Sequence, residues 1–350
     1  MREKIKQVYH RMSDELSREV FEARLLSSLT GRYKFVNQLA HYGIRESLPI
    51  IDAIREKYAC VIYYGAGQVG ADMYYRLGAG FCIAFCDSDK TKHGTDFVGR
   101  KVLSPEELCE AHRDKDCLVF ISVANQRGEN EIYDFLISHG FPKNQIMRYS
   151  AFQYDADGVQ YFPRSILPRP HRGMGGGVFV DAGCYDFSTS YDFISWCGGY
   201  EKIIAFEPNP AQYPVCEAHA KCISNATVYP YALWNENTEM EFKSDGPQDS
   251  GRIEARAGGA IRVKAVKLDD VLCGEKVSFV KMDIEGAELN ALEGAEKTIL
   301  KCRPKLAISV YHKPEDIWEI PTYILSLHDG YQLWLRHYSS GHDDTVLYAI

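Results

Sequence analysis

Apolar residues near the start of the chain fall three and four positions apart. Val8, Met12, Leu16 and Val20 recur at helical spacing, and Phe21, Leu25 and Leu29 extend the stripe, so residues 1–57 read as a helical segment. Gly31 is placed to end one helix and Pro49 to open another. The single apolar face fits two arrangements: packing on the following domain, which is preferred, or pairing with a second copy as a homodimer.

From Tyr58 the period changes. CVIYYGAG, CIAFCDSD and CLVFISVA read as strands, separated by the helical stretches QVGADMYYRLG and SPEELCEAH and followed by NEIYDFLISHG. Ser104 and Glu107 form a capping box at the second of these. Residues 58–150 are thus expected to be a small doubly wound domain. Residues 151–177 carry Pro163, Pro168, Pro170 and GMGGG without a regular period, and read as a linker. Alternation resumes over residues 178–350 with VFVDAG, KIIAFEP, ATVYPYAL, VSFVKMDIEG and PKLAISVYH. A polar stretch from Glu239 to Lys267 interrupts it, and YQLWLRHYS and DTVLYAI close the chain as a β-hairpin across SGHD. The fold class is therefore α/β: two doubly wound, Rossmann-like domains behind an N-terminal helical segment.

A length of 350 residues suits two domains. The net charge of −8 argues against a general nucleic-acid or membrane-surface binder, either of which would show a basic excess. No apolar run approaches the ~20 residues of a membrane span, and MREKIKQVYH lacks the apolar core of a secretory signal. The 11 cysteines are odd in number and scattered, as in a reduced, cytoplasmic protein. Cys82 and Cys86 are expected on one strand face as core residues; no second pair completes a zinc set.

Two strand ends carry candidate chemistry. In the first domain GAGQVG fits the G-x-G-x-x-G pattern between a strand and a helix, and Asp87 closes the next strand. Gly65, Gly67, Gly70 and Asp87 would contact NAD or a nucleotide-linked sugar, although the same turn serves equally as a packing device. No hydride-transfer pair follows, so a dehydrogenase is not expected. In the second domain Asp181 ends the first strand and Glu207 the second. An acidic residue at the second strand end accepts ribose hydroxyls, whereas a carboxylate in the first loop repels phosphate and suits an ammonium group. Ribose and ammonium without phosphate describe S-adenosylmethionine.

VDAG, AFEPNP, KMDIEGAE, PKLAISVYH and the RHY–TVLYAI hairpin together resemble the FkbM family of S-adenosylmethionine-dependent methyltransferases, over about residues 177–350. The resemblance implies a class I methyltransferase fold of seven strands with the last antiparallel. It also implies O-methylation of a hydroxyl on a sugar, glycan or secondary metabolite, with a nucleotide-sugar as a further expected acceptor. Asp181, Gly183, Glu207, Asn209, Ala232 and Asp283 then fall at or near the cofactor, with Cys184 and Tyr185 lining the loop. Asp283 ends the fourth strand and His312 the fifth, so the two can meet over one substrate. His312 is the expected general base and Asp283 the orienting group, with the reverse open; Glu285 is a site candidate or a helix-start charge. Asp283 and Glu285 without further ligands do not make a metal site. Phe187 stands where the family commonly has glycine, which is harmless if its side chain enters the core and its φ stays negative. If it fills the cleft instead, the alternative is a non-catalytic nucleotide- or sugar-binding protein.

Overall fold

The computed structural model describes residues 1–32, 34–37, 51–112, 116–123, 125–150, 160–168, 177–243, 252–254, 261–339 and 342–350. Contacts divide the chain into two units, residues 40–159 and residues 1–39 together with 160–350. Among the described residues no helix is long and apolar enough to cross a membrane.

The first unit is built on β1 (Cys60–Tyr64), β2 (Cys82–Cys86), β3 (Asp96–Phe97), β4 (Arg100–Leu103), β5 (Cys117–Ile121) and β6 (Ile146–Arg148), in the order β3-β4-β2-β1-β5-β6. All neighbours are parallel except the short β3–β4 pair. Both faces are covered by apolar clusters, which is why CVIYY and CLVFI read as continuous apolar runs rather than alternating ones. Cys82 and Cys86 part company here. The register between β1 and β2 slips after Cys82, leaving Ile83 exposed, and a bulge of this kind reverses which face later residues occupy. Cys82 therefore joins one cluster and Cys86 the other.

The second unit holds a seven-stranded sheet of β7 (Val178–Ala182), β8 (Lys202–Phe206), β9 (Ala226–Tyr229), β14 (Val277–Met282), β15 (Lys305–Ser309), β16 (Leu333–His337) and β17 (Thr345–Ala349). Its order is β16-β17-β15-β14-β7-β8-β9, with β17 antiparallel to both neighbours. A smaller sheet of β10 (Tyr231–Leu233), β11 (Thr238–Lys243), β12 (Arg252–Glu254) and β13 (Ile261–Val266) is inserted between β9 and β14. Strand order reverses between β7 and β14, the place where open α/β sheets bind ligands beyond their strand ends.

Residues 160–168, inside the expected linker, are built into this unit. Tyr161 and Phe162 are buried. Phe162 stacks on Trp196 at 5.5 Å between ring centroids and meets Phe279, while the Trp196 indole donates to the Leu167 carbonyl. Prolines hide this segment from a periodicity reading because it packs without regular structure. Residues 151–159 and 169–176, with most of GMGGG, lie outside the described residues.

The N-terminal helices α1 (Arg2–Arg11) and α2 (Glu15–Thr30) pack on the second unit. Their junction covers the edge strand β16. Ser13 donates to the Leu333 carbonyl, Ser17 Oγ accepts from Leu335 N–H, and Asp14 both caps α2 and pairs with buried Arg336 at 2.8 Å. An edge strand leaves backbone groups open to wrong partners, and this junction takes up two of them. The expected helix start at Pro49 lies outside the described residues.

Candidate active site

β7 delivers Asp181 and then turns at Gly183, whose φ is +74°. A Cβ at Gly183 would sit 2.0 Å from the Asp283 carbonyl oxygen, so glycine is required where the loops after β7 and β14 touch. The amides of Gly183 and Cys184 donate to the Phe206 carbonyl at the end of β8. Glu207 follows directly. Its two oxygens accept from the Tyr185 and Asn209 amides at 2.9 Å each, and it is buried. Burial pushes its carboxyl up to about 7, helped by the charge of Asp181 and opposed by those amides and Lys281. A narrow cleft of about 40 Å³ lies between the strand ends, lined by Gly183, Glu207, Ala232, Asp283, Ile284 and Glu285, among others.

Behind the cleft runs a buried chain of charge. Asp181 and Lys281 are cross-strand partners on β7 and β14, paired at 3.2 Å with almost no exposure. Ser190 also donates to Asp181 at 2.7 Å, and Lys281 donates to the Gly183 carbonyl at 2.6 Å. Burial opposes the charge on Lys281, but Asp181 and Asp283 outweigh it and hold its pKa above the ordinary lysine value. Asp283 accepts from the hydroxyls of Tyr161 at 2.7 Å and Tyr311 at 3.2 Å. Its pKa falls although burial opposes this, because Lys281 and His312 favour the anion. His312 sits among three carboxylates: Glu288 at 3.0 Å from Nδ1, and Glu285 and Asp283 at 3.4 and 3.5 Å from Nε2. Burial alone would lower its pKa, but Glu288, Asp283 and Glu285 carry it up to about 9. Three non-glycine residues on the two loops, Tyr185, Phe187 and Glu285, hold φ of +48°, +71° and +56°. Strain of this kind costs on the order of 1–3 kcal/mol per residue and gathers at functional sites.

Against known proteins, residues 171–339 match the model of the methyltransferase FkbM domain. Residues 171–339 are a methyltransferase FkbM domain. The 2-O-methyltransferase NoeI of Sinorhizobium fredii is 26% identical over 161 residues, which are 40% of this chain and 63% of that protein. Of solved structures, methyltransferase FkbM from Methylobacillus flagellatus is similar at 19% identity and a TM-score of 0.46, over 90% of this chain and 99% of that one. An rRNA methylase from Streptococcus thermophilus is similar at 15% identity and a TM-score of 0.33, over 50% and 86%.

In the FkbM domain the expected site residues separate into three groups. Gly183, Glu207, Ala232, Asp283 and Glu285 line the cleft, and His312 lies beside Asp283. Asp181 is fully buried, and the positive partner expected from a ligand is supplied by Lys281. Cys184 is a buried free thiol, and a hydrogen bond with the Cys216 thiol, together with burial, pushes its pKa up. Asn209 spends its carbonyl oxygen on the Ala211 amide, leaving Nδ2 buried without a partner. Tyr185 offers Glu207 its backbone amide. Phe187 meets one of its two conditions: the ring is buried against Tyr191, while φ is positive.

Lys281, Tyr161, Tyr311 and Glu288 were not singled out. Lys281 left a signal, since a lysine inside an apolar strand is rarely buried without a paired acid. Tyr161 left none, because it enters from outside the strand–helix pattern.

In the first unit Asp87 accepts from the Ala66 amide and Lys92 through Oδ2, and from the Asp89 amide through Oδ1. A Cβ at Gly70 would lie 2.2 Å from the Gly65 carbonyl, whereas one at Gly67 meets nothing within 4 Å. The adjoining cleft is about 420 Å³ and is lined by Asp87, Glu106 and Glu131, among others. Three carboxylates beside one lysine disfavour a pyrophosphate.

Proposed function

We propose that the chain is an S-adenosylmethionine-dependent O-methyltransferase acting on a hydroxyl of a sugar, glycan or nucleotide-sugar. The observation that carries this reading is Glu207: a buried carboxylate at the end of the second strand, with its pKa raised to about 7, facing a cleft at the strand-order reversal. Ribose hydroxyls would give that carboxylate the donors that burial denies it. The unpartnered Asn209 Nδ2 is a further buried group awaiting an acceptor. Bound there, the cofactor supplies a methyl group on a positively charged sulfur. The printed name of NoeI supports transfer to oxygen.

The remaining work belongs to this chain's own side chains. His312, with a pKa near 9, is an imidazolium at neutral pH and does not serve as the base. Asp283 is held below the ordinary carboxylate range and bonded by two tyrosines, which makes it an orienting group and a weak proton acceptor. Glu285 lines the cleft with a third of its side chain exposed, and we assign it the acceptor hydroxyl's proton.

The narrowness of the cleft favours the second reading, a domain that binds ligand without turnover or not at all, since a nucleoside enters only when the walls part. Titration calorimetry with S-adenosylhomocysteine separates the readings. Micromolar binding, with methyl transfer to a sugar hydroxyl, is expected. No heat at millimolar ligand ends the enzymatic proposal.

A further inference from the structure

We propose that Asp283, Glu288 and His312 form a site for one divalent cation. Their donor atoms all lie within 4.8 Å of one another. An ion of the size of Mn²⁺ or Mg²⁺ takes ligands at roughly 2.0–2.3 Å, so opposed donors stand about 4–4.6 Å apart; a contraction of a few tenths of an ångström closes the set. Two of the residues lie five positions apart, and the third comes from beyond the next strand. Asp283 ends β14, Glu288 opens the helix Glu288–Glu293, and His312 follows β15.

Two observations beyond the clustering of acids point to a ligand. The His312 side chain is 9% exposed, and neither ring nitrogen makes an aligned hydrogen bond, although carboxylate oxygens surround it at 3.0 to 3.5 Å. Glu288 is fully buried. One oxygen accepts from the Ile284 amide at 2.8 Å and the other has no hydrogen-bond partner. Buried polar atoms are paired in the great majority of cases, and these belong to the two side chains that point at each other.

Charge balance gives the same answer. Asp181, Asp283 and Glu288 lie against Lys281 and His312. With the imidazole neutral, as a metal ligand must be, three carboxylates beside one lysine leave two negative charges over. A divalent ion supplies the missing charge and aligns the imidazole as a ligand. One imidazole with carboxylates is an oxygen-rich borderline set that suits Mn²⁺ or Mg²⁺ better than a thiolate-seeking ion.

The site borders the cleft through Asp283, so an acceptor hydroxyl can complete the ion's coordination. The cation would draw electron density from that oxygen, easing loss of its proton to Glu285 as the new O–CH₃ bond forms and the S–CH₃ electron pair stays on sulfur. This role rests on the methyl-transfer reading; the site itself does not.

The test uses the full chain freed of metal and titrated with Mn²⁺, the free ion being followed by electron paramagnetic resonance. One Mn²⁺ per chain is expected, with affinity at least tenfold weaker in His312→Gln and in Glu288→Gln, and unchanged in Glu131→Gln. Circular dichroism establishes that each variant is folded. Crystals of the unaltered chain soaked in Mn²⁺ provide a readout that needs no variant: an anomalous peak between Asp283, Glu288 and His312 is expected. Absence of that peak, or equal affinity in the folded variants, overturns the inference. S-adenosylhomocysteine binding measured in chelator keeps the two proposals apart. S-adenosylhomocysteine binding without Mn²⁺ binding removes only the metal site, and the converse removes only the methyl-transfer role.

Discussion

Two clefts in this chain sit at equivalent places, each beyond the carboxyl ends of parallel strands, with a glycine turn and an acid at the next strand end. In the first unit the turn obeys the dinucleotide pattern and the cleft is the roomier, about 420 Å³ against about 40 Å³. Its acid, Asp87, is nevertheless occupied with the turn and Lys92. In the second unit the turn breaks the family pattern at Phe187, yet that cleft borders the buried charges Asp181, Lys281 and Glu288, the partly exposed Asp283 and His312, and three left-handed non-glycine residues. Buried charge and backbone strain both cost stability. A fold retains them where they serve something, whereas a glycine pattern can persist for packing alone. Motif conformity and chemical investment therefore point to different clefts.

The largest expected effect tests that investment. Lys281→Met keeps side-chain length and removes the charge, leaving Asp181 buried with Ser190 alone. Removing one partner of a buried pair costs about 3–5 kcal/mol. All four tryptophans, Trp196, Trp234, Trp318 and Trp334, lie in the second unit, so urea unfolding followed by tryptophan emission reads that unit by itself. A loss below about 1 kcal/mol would mean the pair does not organise the site.

Glu207 sharpens the ligand side of the comparison. Replacing it with Gln removes a charged acceptor worth about 1.5–3 kcal/mol, so S-adenosylhomocysteine affinity is expected to fall about 10- to 100-fold. Its pKa of about 7 adds a pH signature. Ribose hydroxyls prefer the carboxylate, so below pH 7 binding must expel a proton and Kd rises by up to about tenfold per pH unit; above it Kd is flat. Glu207→Gln should lose that slope. In the ligand-free chain the raised pKa works the other way. The unfolded chain gives up its proton first, so stability from this group is full below about pH 4.5 and is lost as pH rises through about 7. Calorimetry across pH 5.5 to 8.5 checks the binding slope.

Strand alternation made the seven-stranded sheet, its terminal hairpin and the positions of Glu207, Asp283 and His312 legible from the residues, because a period of two or 3.6 survives in any sequence that buries one face. What escaped was set by contacts between distant segments. Tyr161 reaches Asp283 from a proline-rich stretch with no period. Glu288 stands at a helix start, where an acid draws no notice, and only the fold brings His312 against it. Asp181 read as an open charge because its partner Lys281 is far along the chain and adjacent only through strand register. For His312 the spacing gave the place, but not the three carboxylates around it that raise its pKa.

Gly70→Ala tests whether the first unit's glycines serve packing. Alanine gains about 1 kcal/mol of helix propensity over glycine. Against this, its Cβ would lie 2.2 Å from the Gly65 carbonyl, a backbone atom that cannot swing aside. Overpacking costs about 1–3 kcal/mol, so a net loss of about 1–2 kcal/mol is expected. It should appear in the far-UV circular dichroism transition that the tryptophans do not report.

The smallest effect is expected at Gly67. Its φ of −141° is extended backbone open to any residue, it caps the helix Gln68–Leu77 without a side-chain bond, and a Cβ there meets nothing within 4 Å. Serine at such a position gains a capping hydroxyl worth a few tenths of a kcal/mol over glycine, so Gly67→Ser should leave stability unchanged or raise it by up to about 0.5 kcal/mol. The same substitution separates packing from binding. A nucleotide phosphate approaching this turn would need the bare backbone of Gly67, and a serine side chain would obstruct it. If NAD binds the unaltered chain and Gly67→Ser abolishes that binding without loss of stability, the first cleft is a working nucleotide site, and conformity to the motif would have been the better guide after all.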